Sequence, residues 1–463
     1  MSFDTAHWQA RLDQLRIAHH VPGASLAVLV DGVVHEVAGG VLHRGTGVEV
    51  TTDSVFQVGS ITKLHTATLV MQLAASGALD LDAPVVDVLP EFATADPEAT
   101  KVITTRQLLS HTSGLTCDFT HDTGRGDDCL ARYVEAAAGV ALDGPPGTFS
   151  YSSVGYNVLG RIVEVLTGQT WDEALQERLC APLGLTRTVT LPEDVLRFRA
   201  AMGHLGGPGQ EPEPAPAWNM LPRSSGPYGG VLCASAGDVV RLAGMHLAGG
   251  TAPDGTRLLG ADAVAAMQRR HADSPDKWTV DSDGWGLGWT LYDWLGTPGF
   301  GHDGATIGQY GFLRVVPGAG VAVALLTNGG GSRRLHADLS RELLGELAGV
   351  ELPPAFGPAA QPPAVAATPF AGTYRREGVV ITVTERTDGG LHLLYEFVDG
   401  MKNLSPALEA DLVPVTGNVF AAPGSGAFSE DWMPVVFSAL QDGTPCCYVG
   451  MRAAPKDSAR SRS

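Results

Sequence analysis

Lysine is the scarcest charged residue in this chain, and its scarcity makes each lysine informative. Lys and Arg together number 31 against 50 acidic residues, and arginine supplies most of that positive charge. A lysine that stands inside a recognisable motif is therefore less apt to be there by chance. The five lysines are Lys63, Lys101, Lys277, Lys402 and Lys456.

The shortage of positive charge also excludes one class of partner. The formal net charge is −19, whereas a protein that binds a nucleic acid needs a basic face toward the polyanion. We therefore expect no nucleic-acid partner. Hydrophobic residues make up 44% of the chain and charged residues 17%, a balance typical of a folded protein with a large core.

Long apolar runs are missing as well. No stretch approaches the roughly 18 apolar residues that a membrane helix needs, and residues 1–20 lack the apolar segment of a secretory signal. We therefore expect a cytoplasmic protein that does not bind a membrane. Nothing in the sequence fixes the oligomeric state, and a monomer is compatible with it.

Cysteine is sparse and follows no metal-binding pattern. The spacing of the six cysteines fits neither a zinc site nor a redox motif, so we expect most of them to be reduced and buried. We expect no metal and no cofactor, and we interpret the acidic segment 122–128 as a solvated loop. The cysteines are Cys117, Cys129, Cys180, Cys233, Cys446 and Cys447.

Hydrophobic periodicity predicts a chain that mixes helices and strands. Apolar runs over 24–30 and 33–41, joined at Asp31-Gly32, predict a β-hairpin. The proline-rich stretch 205–217 is predicted to be a loop. Helices are predicted over 4–20, 59–76, 105–110, 157–166, 236–248 and 335–348, and further strands over 286–292, 308–316 and 321–327.

The composition changes after residue 352. Residues 353–369 are rich in Pro and Ala, which is typical of a semi-rigid linker. Residues 370–455 show short alternating runs split by Gly, Asp and Asn, which predict a small antiparallel β-barrel. Residues 456–463 are expected to be a disordered tail. We therefore predict one large domain over 1–352, followed by the linker and the barrel.

The segment Ser60-Ile61-Thr62-Lys63 is the first candidate for catalysis. Residues three apart on a helix share a face, so the amine of Lys63 is predicted to lie beside the hydroxyl of Ser60. A serine needs such a base to become a nucleophile, and burial lowers the pKa of a lysine toward the neutral form. The motif alone is weak, because Ser274-Pro275-Asp276-Lys277 also fits it.

Two later segments strengthen the assignment. Phe149-Ser150-Tyr151-Ser152-Ser153 stands just before a predicted helix, and Tyr151 is suited to a second proton transfer. Gly301-His302-Asp303-Gly304-Ala305 lies between predicted strands, where a strand edge beside the serine can offer a backbone N–H to an oxyanion. A packed tyrosine and a glycine-rich turn remain the alternatives for each segment taken singly.

In this order the three segments resemble the serine β-lactamase and penicillin-binding-protein superfamily, in its class C and D,D-peptidase-like branch. The resemblance implies an α+β fold with an antiparallel sheet flanked by helices, plus a helical subdomain. It covers about residues 10–350 and includes PGASLAVLVDG, VFQVGSITK, QLLSHTSGL, FSYSSVGYNVLG, GGVLCASAGDVVRL and GHDGATIGQYGF.

The resemblance also implies a set of catalytic roles. Ser60 would carry an acyl group, and Lys63 and Tyr151 would share the role of base. His302 takes a third-motif position that the family often fills with lysine. The backbone N–H groups of Ser60 and Ala305 would form the oxyanion hole.

Several positions depart from the family pattern. The second motif usually ends in Asn, where this chain has Ser153. In the third motif, Asp303 and Ala305 flank Gly304 at positions where hydroxyl residues often receive the free carboxylate of penicillins or of D-Ala-D-Ala. A fixed negative charge would repel that carboxylate. We therefore rank β-lactamase and D,D-carboxypeptidase below other members of the superfamily, and we expect Asp303 to attract an ammonium group instead.

The C-terminal segment, with Phe370-Ala371-Gly372-Thr373-Tyr374, resembles the lipocalin-like barrel of D-aminopeptidases and of stand-alone penicillin-binding-protein-type thioesterases. The motif spacing is most similar to that of the thioesterases. This resemblance implies a peptidyl thioester on a carrier protein, ending in a D-residue and released as a head-to-tail macrolactam. Arg452 is interpreted as a substrate-binding residue on the last predicted strand.

Two alternatives stay open. The first is a cytoplasmic esterase or D-aminopeptidase that transfers the acyl group of a small ester or amide to water. The second is a non-catalytic binding protein on the same fold, which the intact Ser60, Lys63 and Tyr151 argue against.

Overall fold

The computed structural model describes residues 3–206, 210–219, 221–402, 405–424 and 432–457. Part of the predicted tail, residues 458–463, lies outside them. None of the helices formed by the described residues is long and apolar enough to cross a membrane. Those helices are α1 Thr5–Ala18, α2 Thr62–Ala75, α3 Pro97–Thr100, α4 Thr105–Leu109, α5 Cys129–Ala137, α6 Val154–Thr167, α7 Trp171–Leu175, α8 Ala181–Leu183, α9 Pro192–Val195, α10 Ala236–Leu247, α11 Ala261–Gln268 and α12 Ser332–Ala348.

The large domain is built on one antiparallel sheet in the order β3-β2-β1-β13-β12-β11-β10-β9-β8. Two-residue pairs, β4 with β7 and β5 with β6, stand apart from it. The strands are β1 Gly23–Val30, β2 Val33–His43, β3 Val48–Glu49, β4 Phe56–Gln57, β5 His204–Leu205, β6 Glu213–Pro214, β7 Cys233–Ala234, β8 Ala272–Asp273, β9 Gly284–Trp285, β10 Thr290–Trp294, β11 Thr297–Ala305, β12 Tyr310–Val316 and β13 Val321–Thr327.

The sheet and the helices that cover it confirm the predicted α+β class. The hairpin at Asp31-Gly32 forms as expected, because both residues take the positive φ values, 51° and 75°, that a tight hairpin turn requires. One face of the sheet packs on α10, and the other packs on α1 and α12. The buried helix α2 lies in the core of the helical region beside α6.

Two local predictions were wrong. Residues 286–292 do not form one strand, because the chain turns between β9 and β10. Gly288 has a φ of +89°, and a Cβ there would lie 2.6 Å from the Cβ of Ala67, so the turn packs tightly on α2. The predicted loop 205–217 contains the short β5–β6 pair, in which proline occupies a strand position without donating a hydrogen bond.

The C-terminal region forms an eight-stranded antiparallel sheet in simple sequential order. A bridge between Tyr374 and Lys456 joins its first strand to the residue after its last, so the barrel is nearly closed. The strands are β14 Gly372–Arg376, β15 Val379–Glu385, β16 Leu391–Phe397, β17 Leu408–Pro414, β18 Val419–Pro423, β19 Trp432–Ala439, β20 Pro445–Val449 and β21 Arg452–Pro455.

The barrel and the large domain share a buried apolar cluster. Alternate residues of a strand point to opposite sides, and in β19 Val435 and Phe437 face the barrel interior while Val436 faces the large domain. The strand is therefore apolar on both faces. The shared cluster contains Cys117, Phe149, Tyr151, Trp285, Val419, Val436, Leu440, Cys446, Tyr448, Met451 and Ala453.

Candidate active site

Ser60 lies in a 3₁₀ turn, Gly59–Ile61, that leads directly into α2. Gly59 has a φ of +54°, and a Cβ there would lie 2.4 Å from the backbone nitrogen of Ala305. A Cβ on Gly304 would lie 2.0 Å from the carbonyl oxygen of Val58 and 2.8 Å from the nitrogen of Ser60. Only glycine permits this approach, which brings the end of β11 against the serine turn.

Lys63 is completely buried, and its Nζ lies 3.1 Å from the Oγ of Ser60. The same nitrogen donates to the carbonyl oxygen of Tyr228 over 3.0 Å. The rings of Tyr151, Tyr156 and Tyr228 surround it, with centroids 4.8, 5.4 and 5.3 Å away. Burial lowers the pKa of Lys63 to about 7, so a large share of this lysine is a free amine at neutral pH.

Tyr151 stands in the loop before α6, within hydrogen-bonding reach of Ser60. Burial raises the pKa of its phenol, and the hydrogen bond to Ser60 lowers it by less. Tyr151 is therefore protonated near neutral pH, which distinguishes it from Lys63. Its backbone N–H donates to the carbonyl oxygen of Met451 in the barrel over 3.0 Å.

His302 lies in β11 with its ring 6.3 Å from that of Tyr151. Its Nδ1 is 2.6 Å from the carbonyl oxygen of Asp303, while its buried Nε2 has no partner among the described residues. Burial and the nearby Lys63 charge lower the pKa of His302 to about 4. His302 is thus a neutral group with one unused ring nitrogen, unlike the lysine that often fills this position in the family.

Ser153 and Arg452 meet on the barrel side of the site. The Oγ of Ser153 lies 3.3 Å from the thiol of Cys117, and the guanidinium of Arg452 also reaches that thiol. Arg452 begins β21 and stacks over the ring of Tyr151, with its Cζ 5.6 Å from the centroid. The structure therefore brings Ser60, Lys63, Tyr151, His302, Ser153 and Arg452 into one site.

Asp303 does not face the same way. Neighbouring strand residues alternate in direction, and Asp303 makes a two-pronged ion pair with the buried Arg314 of β12. Burial raises the pKa of Asp303, but the charge of Arg314 outweighs that effect and keeps it below its usual value. The carboxylate that was expected to attract an ammonium group is thus paired with Arg314, which neutralises its charge.

Sequence reasoning missed four residues of the site. His111, at a φ of +59°, lies 4.4 Å ring to ring from Tyr151, and its Nδ1 accepts from the backbone N–H of Ser152. The segment QLLSHTSGL, which is part of the family resemblance, contains His111 and could have pointed to it. Burial raises the pKa of Cys117, but the charges of Arg452 and Lys63 bring it below its ordinary value. No motif in the sequence points to Cys117, Asp118 or Arg376.

Asp118 ties the barrel to this site. Its carboxylate accepts from Arg376 of β14, whose guanidinium also donates to the hydroxyl of Tyr395 over 2.7 Å. The Nε of Arg452 lies 3.6 Å from the same carboxylate. Two barrel arginines therefore share one acid of the large domain.

All six cysteines are free and buried, as predicted. Within the described ranges, His, Cys, Asp and Glu form no cluster of three or more arranged to hold a metal ion. The segment 122–128 is mostly exposed, as a solvated loop should be.

Comparisons with known proteins show the family of the chain. The profile of the beta-lactamase family matches residues 8–346. Penicillin-binding protein 4 of Amycolatopsis lactamdurans is 62% identical over 379 residues, which make up 82% of this chain and 99% of that protein.

Two solved structures extend the comparison. The crystal structure of SurE superposes with a TM-score of 0.78 at 30% identity, covering 98% of this chain and 99% of SurE. A D-amino acid amidase from Ochrobactrum anthropi SV3 shares the fold at a TM-score of 0.61 and 22% identity, covering 74% of this chain and 99% of that chain. The profile match spans most of the chain, and the chain therefore belongs to the beta-lactamase family.

Proposed function

We propose that this protein accepts a peptidyl thioester ending in a D-residue on Ser60 and releases it as a head-to-tail cyclic peptide. The observation that carries the proposal is the barrel turn that packs on Tyr151 and places Arg452 over its ring. A covered site keeps water from the acyl-enzyme, so that an amine can be its acceptor. One solved structure of SurE, similar over 98% of this chain, contains D-Leu.

In the first half of the proposed reaction, Lys63 takes the proton of Ser60, because its amine is 3.1 Å from the hydroxyl and its pKa is about 7. The Ser60 oxygen then bonds to the thioester carbon. The backbone N–H groups of Ser60 and Ala305 stabilise the oxyanion. The carbon–sulfur bond breaks, and the proton passes through Lys63 or Tyr151 to the departing thiolate.

In the second half, the N-terminal amine of the peptide attacks the Ser60 ester. The amine loses a proton to Lys63, the carbon–oxygen bond breaks, and the proton returns to the Ser60 oxygen through Lys63 and Tyr151. The products are a lactam and the free serine. A substrate held on a carrier protein is made inside the cell, so we also propose a cytoplasmic location for the enzyme.

The test is incubation with a linear peptidyl pantetheine thioester that ends in a D-residue. We expect an acyl adduct on Ser60 and a product that weighs one water less than the linear acid, as seen by intact-mass spectrometry. The matched controls are the same donor ending in the L-residue and the Ser60→Ala variant. Linear acid as the only product would contradict cyclisation.

A second candidate has a specific observation in its favour. The relative at 62% identity is named penicillin-binding protein 4, which favours acylation by a penicillin. Against it stand Ser153 and Ala305, which replace the usual amide and hydroxyl groups. Acylation by a penicillin that exceeds acylation by the thioester would favour this candidate. Faster turnover of simple esters or D-amino-acid amides would favour an esterase or D-aminopeptidase.

A further inference from the structure

Three consecutive backbone N–H groups hold the segment that carries Tyr151. The N–H of Ser150 donates to the carbonyl oxygen of His111 over 2.9 Å, and the N–H of Ser152 donates to the Nδ1 of the same histidine over 3.0 Å. Between them, the N–H of Tyr151 donates to the carbonyl oxygen of Met451. His111 therefore holds the residues on both sides of Tyr151, while the barrel holds Tyr151 itself.

The backbone of His111 has an uncommon conformation. Residues with a Cβ rarely adopt its φ of +59°, and such strain persists where the surrounding contacts impose it, often at functional sites. His111 follows α4, whose last residue, Leu109, accepts from the hydroxyl of Tyr156 and from the backbone N–H of Gly288, each over 3.1 Å. These bonds fix the end of α4. The residue after the next then presents both its carbonyl oxygen and its ring to the segment 150–152.

The ring of His111 accepts a hydrogen bond only while it is neutral. An Nδ1 that accepts from Ser152 carries no proton, so the ring proton is on Nε2. Burial lowers the pKa of His111 well below its ordinary value, and the nearby charges of Lys63 and Arg452 act in the same direction. The Nε2 is buried without a partner among the described residues. The environment of His111 thus keeps its Nδ1 available to Ser152 at neutral pH.

The rings of His111 and Tyr151 are packed as one unit. Their centroids lie 4.4 Å apart, and their planes differ by 36°. The buried ring of Trp285 packs edge-on against both, at centroid distances of 5.1 and 5.6 Å. A change in the ring of His111 would therefore let Tyr151 tilt away from Ser60, with which its phenol is hydrogen-bonded.

We propose that His111 is a positioning residue that orients the phenol of Tyr151 toward the leaving group of the acyl donor. The inference rests on the proposed acyl transfer at Ser60 and names Tyr151 as the group that protonates the leaving atom. In this sequence, the proton of Ser60 passes to Lys63. Tyr151 gives its own proton to the leaving sulfur as the carbon–sulfur bond breaks, and Lys63 then restores the proton of Tyr151. His111 touches none of the reacting atoms and exchanges no proton.

The first test varies the need of the leaving group for a proton. Two donors carry the same peptide, one on pantetheine and one on a nitrothiophenol, whose weakly basic thiolate leaves without protonation. Misplacement of a catalytic group by about 1 Å costs up to about 10²-fold. In His111→Gly, the saturating single-turnover rate of Ser60 acylation should therefore fall by about 10²-fold with the pantetheine donor and by less than about threefold with the other.

His111→Asn is the matched variant. Glycine and asparagine both tolerate a positive φ, but only asparagine has a side-chain oxygen that can accept from Ser152. His111→Asn should therefore recover most of the rate with the pantetheine donor. His111→Leu, which fills the site without an acceptor, replaces His111→Gly if that variant does not fold. Labelling of Ser60 by a fluorophosphonate, whose fluoride needs no proton from Tyr151, shows that a variant is folded.

The second test asks whether His111 acts through Tyr151. Tyr151→Phe lacks the proton that is to be oriented. Two changes that disable the same group are not additive, so His111→Gly should cause no further loss of rate in the Tyr151→Phe background. A role of His111 in folding or in binding the donor would instead lower the rate equally in both backgrounds.

The outcomes separate this inference from the proposed function. Equal losses with the two donors in His111→Gly, or an additive loss in the Tyr151→Phe background, would overturn the positioning role and leave the acyl transfer intact. Failure of both donors to acylate Ser60 in the unaltered enzyme would overturn the thioester reaction. An alkyl ester and a nitrophenyl ester of one acyl group then make the same comparison for His111.

Discussion

Two stretches of this chain share the pattern Ser-x-x-Lys and differ in everything else. At Ser60 the pattern spans a 3₁₀ turn and the first residues of α2, and the Nζ of Lys63 is buried 3.1 Å from the serine oxygen. At Ser274 the pattern lies in a loop, where the serine donates to the carbonyl oxygen of Asp276. The side chain of Lys277 is 51% exposed there. The Ser-x-x-Lys spacing gives a reactive pair only where a helical backbone and burial hold the lysine amine against the serine hydroxyl.

The stretch Ser274–Lys277 nevertheless helps to hold the residues around Ser60 in place. Asp276, inside Ser274-Pro275-Asp276-Lys277, is fully buried and accepts from the backbone N–H of Met451 over 2.8 Å. Met451 in turn accepts from Tyr151 and directly precedes Arg452. The segment Ser274-Pro275-Asp276-Lys277 therefore anchors the barrel turn that completes the candidate active site.

Removal of each serine should give the largest difference between the two Ser-x-x-Lys stretches. Ser60→Ala should abolish labelling by a fluorophosphonate and lower acyl transfer by at least about 10³-fold, because the proposed nucleophile is lost. Ser274→Ala should leave both unchanged. Intact-mass spectrometry after labelling measures the result, and labelling that persists in Ser60→Ala would contradict the assignment.

Removal of each lysine should give the next largest difference. Lys63→Met should lower kcat/KM by about 10²- to 10⁴-fold, the usual contribution of a general base, while Lys277→Met should stay within about twofold. In the proposed mechanism Lys63 acts as the free amine, so kcat/KM of the unaltered enzyme should rise with pH through about 7 and then level off. A flat profile from pH 5.5 to 8.5 in stopped-flow acylation would refute this role for Lys63.

Asp276→Ala tests whether the hydrogen bond between Asp276 and the backbone of Met451 positions the active site. The buried N–H of Met451 would lose its partner, which costs about 1–3 kcal/mol, and Arg452 would shift over Tyr151. We expect kcat/KM to fall by about tenfold through kcat, with little change in KM for a small ester. Lys277→Met is the control in the same loop. An unchanged kcat in folded Asp276→Ala would show that the anchor does not position the site.

The smallest expected effect is on stability. Lys63 has a folded pKa of about 7 against an ordinary value of 10.5, so its burial penalty is full below pH 7 and vanishes above pH 10.5. Between these limits the unfolded chain binds more protons. The free energy of unfolding should therefore rise with pH, relative to Lys63→Met, by at most about 1.4 kcal/mol per pH unit. Urea unfolding of both proteins at pH 7, 8 and 9 measures this. A difference in unfolding free energy that does not change with pH would contradict the prediction.

The six predicted helices and the hairpin at Asp31-Gly32 are present, whereas helices α5, α7 and α11 were not predicted. The strand character of residues 302–305 was not predicted, since Gly, Asp and Ala have low strand propensity and only pairing with β12 makes these residues a strand. The proximity of Ser60, Lys63 and Tyr151 followed from motif and resemblance. The pairing of Asp303 with Arg314 could not be predicted, because it depends on the register of two neighbouring strands.

The union of barrel and large domain has a consequence for proteolysis. The linker residues 360–364 are exposed, whereas the residues on both sides of the domain interface are buried in one apolar cluster. A protease that nicks the linker would therefore leave two fragments that copurify and stay active. A gene truncated before residue 370 would instead yield a product that lacks the partners of Tyr151 and Asp118 and exposes the barrel-facing surface, so the barrel is not a dispensable appendage.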